Sequence, residues 1–163
     1  MKWTIQQLRK IQTFPYPFSD TIDFTTAIQT VPDILDIDKV NVIGHIYRID
    51  DMTYRFLYQF DVNMHLECAL TLEPVRYQHH YTYDEVYSLI EKEDAFLIEK
   101  NTIDLSEMVW SNILIEKPIN VTLPNAHEIL KERGIILDDT LSIDDDDSDE
   151  VLFYSDGLDE DED

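Results

Sequence analysis

The sequence predicts an α+β protein: an antiparallel sheet, strongly bent or barrel-like, with two or three short helices and a disordered acidic C-terminal tail. Three observations carry this. A long alternation of apolar and polar residues runs from Tyr54 to Cys68. Two helix starts are marked by capping residues at Asp104 and Asn125. The composition then changes abruptly after Leu137.

The alternation is the firmest element. Tyr54, Phe56, Tyr58, Phe60, Val62, Met64, Leu66 and Cys68 share one face, opposite Arg55, Gln59, Asp61, Asn63, His65 and Glu67. A period of two over this length specifies a strand with one buried and one wet face. Leu57 is the one apolar residue on the wet side. The segment exceeds the usual strand of about 5–6 residues, so a bend or bulge is expected partway.

Val40–Ile49 also reads as a strand. Asp50-Asp51 then supplies a tight turn, making an antiparallel hairpin with the next strand. Downstream of Glu73-Pro74, Val75–Tyr87 sets Tyr77, His79, Tyr81 and Tyr83 on one face and reads as a third strand. Ile22–Ile28 is expected to add another. Phe14-Pro15-Tyr16-Pro17-Phe18 must be extended, because each proline disfavours helix in the residue before it.

The helices are signalled by their ends. Asp104-Leu105-Ser106-Glu107 fits a capping box, Leu105, Met108, Val109 and Ile113 form an apolar stripe, and Pro118 enforces the stop. Asn125-Ala126-His127-Glu128 repeats the pattern, with Ile129 and Leu130 facing inward and Gly134 closing the helix. Ile5–Ile11 has helical potential as well. One domain is expected over 1–137, followed by a tail over 138–163.

Charge separates these two parts. The chain carries 35 acids and 12 bases, a net charge of −23. Fourteen of the acids lie in 138–163, where no Lys or Arg occurs, which leaves 21 acids against 12 bases in 1–137. Repulsion within Asp144, Asp145, Asp146 and Asp147 and a scarcity of apolar residues oppose a packed core in the tail. The island Val151-Leu152-Phe153-Tyr154 is either a docking motif or a segment that packs back on the body. These four aspartates, with Phe153 and Tyr154, are the candidate partner-binding residues.

Several function classes are disfavoured. Non-specific nucleic-acid binding relies on Lys and Arg displacing phosphate counterions, and here the densest basic pair is Arg9/Lys10. The surface suits a basic protein instead. With 3 glycines, none close together, no phosphate-cradling loop can form. A single cysteine, Cys68, excludes an intrachain disulfide and suits a reducing compartment. No signal peptide or membrane-spanning run is apparent, and a cytoplasmic location is expected.

Candidate chemical sites fail on geometry or on missing residues. His65 and Cys68 have ligand-like spacing, yet an odd separation on a strand turns them to opposite faces. His79 and His80 are split the same way, one in an aromatic layer with Tyr77 and Tyr81 and the other in water. Asp144, Asp146 and Ser148 imitate the first positions of a calcium loop, but Asp149 stands where Gly is needed and Ser155 where Glu is needed. No Gly-x-Ser-x-Gly exists, and Cys68 on an apolar face would be an inert thiol. Neither a metal, a cofactor nor a catalytic residue is expected. The aromatic residues read as core.

Three stretches taken in order resemble a known family. They are Leu66-Glu67-Cys68-Ala69-Leu70-Thr71-Leu72-Glu73-Pro74, then Ile103-Asp104-Leu105-Ser106-Glu107, then Ile113-Leu114-Ile115-Glu116-Lys117-Pro118. The chain over roughly 1–118 resembles the YceD-like family, the large ribosomal RNA subunit accumulation proteins. That family has Cys-x-x-Cys-Leu-Glu-Pro after a long strand, then an Asp-Leu-x-Glu helix with a proline exit. Cys68 matches the first cysteine, but Thr71 stands in place of the second. Ile119–Leu137 lacks the further cysteines that many members carry. If the family cysteines hold a metal, this chain has lost it.

The resemblance implies a role in synthesis, processing or stability of the 23S ribosomal RNA, without catalysis. Members are often encoded beside a small basic protein of the large subunit. The expected partner is therefore a basic ribosomal protein or an rRNA-processing factor, with rRNA engaged indirectly and no membrane involved. The alternative is an acidic nucleic-acid mimic that inhibits a DNA- or RNA-binding protein.

Overall fold

In the computed structural model, residues 1–135 are described. The chain forms β1 (Lys2–Thr4), α1 (Ile5–Lys10), β2 (Tyr16–Ile22), a 3-10 turn (Ala27–Thr30), β3 (Ile34–Ile37), β4 (Val40–Asp50), β5 (Thr53–Glu67), β6 (Pro74–Ser88), β7 (Phe96–Leu97), β8 (Thr102–Asp104), α2 (Leu105–Glu116) and α3 (Ala126–Glu132). Two compact units are distinguished: Met1–Cys68 with Leu72–Val121, and Ala69–Thr71 with the chain from Thr122.

The first unit is built on a six-stranded sheet in the order β2-β4-β5-β6-β7, with β3 paired to β5 as well. All pairs are antiparallel except β6 with β7. Among the described residues the sheet is open, with no pairing from β7 back to β2, so the barrel-like form expected from the strand pattern is not seen in them. A separate two-stranded ribbon joins β1 to β8.

The long alternation forms β5 as expected, and its eight inward side chains from Tyr54 to Cys68 are all at most 1% exposed. Burying each large apolar side chain contributes about 1.5–3 kcal/mol, so this strand dominates the core energetics. The expected bulge within β5 is not where the irregularity falls. The ladder from Thr53↔Ser88 to Glu67↔Pro74 keeps one register throughout. The shifts lie on the other side, between Ile34 and Asp36 in β3 and between Arg48 and Asp50 in β4. Strands β3 and β4 absorb the extra residues, and β5 stays regular.

Ile22–Ile28 is not a strand. Asp23 Oδ1 accepts the Thr25 N–H at 2.9 Å and the Thr25 hydroxyl at 2.8 Å, a local turn that ends β2 at Ile22. Strand structure instead begins at Tyr16, inside the proline-bracketed segment. The β4–β5 turn is Asp51-Met52, closed by Asp50 accepting the Met52 N–H.

Helix α1 starts on a full capping box between Thr4 and Gln7. In α2 the Asp104 carboxylate caps the Ser106 N–H, and Leu105, Met108, Val109 and Ile113 are buried as the stripe predicts. Pro118 sets Lys117 extended and ends the helix. These residues join Trp3, Ile5 and Leu8 in one core with the inward face of the sheet. Phe24 stacks on Trp110 at 5.0 Å, so α2 lies on that face.

In the second unit, α3 departs from the expected capping box. Asn125 makes no side-chain capping bond, and Ala126 and Leu130 are the buried positions, with Ile129 half-buried. Gly134 closes the helix at φ 81°, with Gly134 N–H donating to Lys131 and Ile135 N–H to Leu130. That is the left-handed glycine termination that the sequence predicts.

Candidate functional site

The outward face of the sheet is assembled from side chains that are distant in sequence. Register places Ser19, Ile43, Gln59 and Thr82 in one row across β2, β4, β5 and β6. Pro17, His45, Leu57 and Asp84 form the adjacent row. All of these residues except Asp84 line a trough of about 680 Å³. Its apolar centre is Pro17, Ile43 and Leu57, and Ile43 is 51% exposed.

Polar pairs flank this centre. On one side Arg55 donates to Asp84 through Nε at 2.7 Å and Nη2 at 2.6 Å, and its guanidinium lies 5.5 Å from the Tyr47 ring. The hydrogen bonds from Arg55 hold the Asp84 carboxyl below the usual carboxylate range and raise the guanidinium in turn. On the other side His80 Nδ1 lies 2.7 Å from Asp61 and His65 Nδ1 lies 2.7 Å from Asp36. Asn63 donates to Asp38. The result is an apolar strip between rows of oriented, exposed polar groups. An arrangement of this kind can bind another macromolecule: the strip loses water and the flanking pairs set register.

On the inward face, Glu85 of β6 is held by uncharged donors. Tyr58 donates to Oε1 at 2.7 Å and Tyr87 to the same oxygen at 3.0 Å. Asn112 of α2 donates to Oε2 at 3.1 Å and to the Tyr58 hydroxyl at 2.7 Å. Burial, and then the neighbouring carboxylate, push the Tyr58 and Tyr87 hydroxyls well above the ordinary tyrosine value. Tyr77, His79, Tyr81 and Tyr83 continue along β6 as a ladder of adjacent rings. Burial pushes Tyr83 up to about 12 and Tyr81 higher.

The candidates named from sequence fall out as follows. Asp144, Asp145, Asp146, Asp147, Phe153 and Tyr154 lie outside the described residues. Cys68 is buried and His65 lies on the outward face, so that pair is divided as the alternation predicts. His79 joins the tyrosine ladder while His80 pairs with Asp61 on the other face. Among the described residues, no group of three or more His, Cys, Asp or Glu is placed to hold a metal ion. No helix among them is long and apolar enough to cross a membrane.

Comparison with known proteins adds one relative. The chain is similar to the uncharacterized protein YlbN of Bacillus subtilis (strain 168), with 29% identity over 135 residues, covering 78% of this chain and 77% of that protein. No protein-family profile matches the chain, and no solved structure matches it.

Proposed function

We propose that the protein is a non-enzymatic cytoplasmic factor supporting the synthesis, processing or stability of 23S rRNA in large-subunit biogenesis. It acts by binding a basic ribosomal protein or an rRNA-processing factor. The ribosomal part of this reading is carried by the resemblance of Leu66–Pro74, Ile103–Glu107 and Ile113–Pro118 to the YceD-like family. The binding part is supported by the outward sheet face, where an exposed apolar strip through Ile43 and Leu57 runs between oriented polar pairs.

In this reading the acidic stretch 138–163 serves as a polyanion appended to the folded body. It imitates a phosphate chain, captures the basic partner rapidly, and keeps it soluble until rRNA displaces it. Such capture is fast and sensitive to salt. Contact with rRNA is indirect, through the partner.

Depletion of the protein from cells, followed by profiling of ribosomal particles and 23S precursor, tests the reading. Loss of large-subunit rRNA is the expected result, and unchanged levels would sink it. Affinity capture at low and moderate salt separates the alternative: recovery of a nuclease or a repressor in place of ribosomal proteins would point to an inhibitory nucleic-acid mimic.

A further inference from the structure

A second surface of the first unit lies apart from the outward sheet face. Helix α2 forms one wall, with Asn112 and Ile115, and the β7–β8 segment forms the other, with Phe96 and Leu97. Glu85 and Tyr87 of β6 lie at its base, and the groove encloses about 670 Å³. Two properties stand out chemically. Glu85 is met by Tyr58, Tyr87 and Asn112, three hydrogen bonds from neutral groups. The walls expose large apolar side chains, with Ile115 at 75% and Phe96 at 56%.

A carboxylate offers roughly four lone-pair sites, so three donors leave about one open. Glu85 is half-buried, and a partly shielded anion met by neutral dipoles attracts a cation more strongly than a fully exposed carboxylate does. Glu99, Asp104 and Glu107 also line the groove, against Lys2 and Lys100, so the carboxylates outnumber the bases. Lys2 already lies 3.7 Å from Asp104. The Phe96 ring is 5.2 Å from Tyr87, which puts aromatic surface beside the carboxylate. An arginine matches every part of this. Its stem lies along apolar walls, its guanidinium stacks on aromatic rings, and one N–H reaches the open site of Glu85.

We infer that the groove between α2 and β7 is the docking site for an arginine-bearing segment of a basic partner protein, with Glu85 as the anion that receives the guanidinium. This rests on the reading of a basic protein partner given above and assigns that partner a second point of attachment, distinct from the Ile43–Leu57 strip.

The test uses the full chain and a labelled nonapeptide of alternating arginine and leucine, followed by fluorescence anisotropy. A citrulline-for-arginine peptide is the control. Binding of the arginine peptide is expected to weaken by about tenfold in Glu85→Gln, the loss typical of a charged hydrogen bond, and the citrulline peptide binds no better than that variant does. Ile115→Lys, at an exposed position, is expected to weaken it as well and decides the matter if Glu85→Gln does not fold. Unchanged affinity in both overturns the inference, whether the peptide then responds to Ile43→Asp or to replacement of Asp144–Asp147 by Asn. The two readings fail separately. If Glu85→Gln weakens peptide binding as expected but depletion of the protein leaves large-subunit rRNA normal, the groove stands and the ribosomal role falls.

Discussion

The Phe18 ring occupies the space where Gly44 has no side chain. The two residues are register partners on β2 and β4, and a Cβ on Gly44 would meet Phe18 Cζ at 2.7 Å. It would also meet the Leu57 carbonyl oxygen and Tyr58 Cβ, both at 2.6 Å. The ring can swing, but the backbone oxygen and a Cβ of the central strand cannot. Gly44→Ala is therefore expected to destabilise the first unit by about 1–3 kcal/mol through overpacking. A urea titration reads this as a lower midpoint at unchanged slope. An unchanged midpoint would show that β4 shifts freely against β5 as well as against β2.

Two buried tyrosines on β5 should respond oppositely to loss of the hydroxyl. Tyr58 is bonded to both Glu85 and Asn112, so Tyr58→Phe leaves a carboxylate and an amide each short of a partner. The expected cost is about 1–3 kcal/mol. The Tyr54 hydroxyl is buried with no hydrogen-bond partner among the described residues. Tyr54→Phe removes a desolvated group that gains nothing, so stability is expected to hold or rise. Paired thermal melts of the two variants check the contrast, and equal losses would refute it.

The tyrosine network predicts an alkaline limit. Tyr58, Tyr81 and Tyr87 are raised above the ordinary value near 10, and Tyr83 is raised to about 12, in each case first by burial. A folded-state pKa above the unfolded one means that the unfolded chain loses its protons first. The stabilisation is thus fully present below pH 10 and is lost as pH rises through the folded values. Urea midpoints measured from pH 8 to pH 12 should stay level and then fall beyond about 10. The fall should be shallower in Tyr58→Phe. Ultraviolet titration of folded protein should show these phenols ionising above the ordinary tyrosine value near 10.

Much of this fold is legible where the sequence is long and regular. Eight alternating apolar residues leave no doubt about β5, and capping residues with a following proline bound α2 closely. Strands β1, β3, β7 and β8 escape because two to four residues give no room for a period. Ile22–Ile28 misleads for a different reason. Ile22 and Phe24 have strand spacing, but Asp23 turns the chain, and Phe24 is buried by Trp110 from another element. The outward strip is the least legible feature. Pro17, Ile43 and Leu57 come from three strands, and only register joins them. The one local sign is Leu57, the apolar residue that breaks the polar side of the alternation. It lies beside His45 and diagonal to Ile43, so the exception in one strand meets its counterpart in the next.

That exception supplies the most direct test of the outward face. Ile43 is 51% exposed and points away from the core, so Ile43→Asp is expected to change folding stability by less than about 0.5 kcal/mol. A carboxylate at the centre of the strip would nevertheless have to be desolvated on docking, a cost of several kcal/mol if it finds no cation. A partner that buries this strip should then be lost from affinity capture, and cells carrying Ile43→Asp should show the same shortage of large-subunit rRNA as depleted cells. Lys92, which bonds Thr53 and Asp50 at the hairpin end of β5, provides the matched control. Lys92→Gln changes surface charge away from the strip and should leave capture intact. Retention of the partner by Ile43→Asp at normal strength would remove the outward face from the mechanism and leave the α2–β7 groove to account for binding.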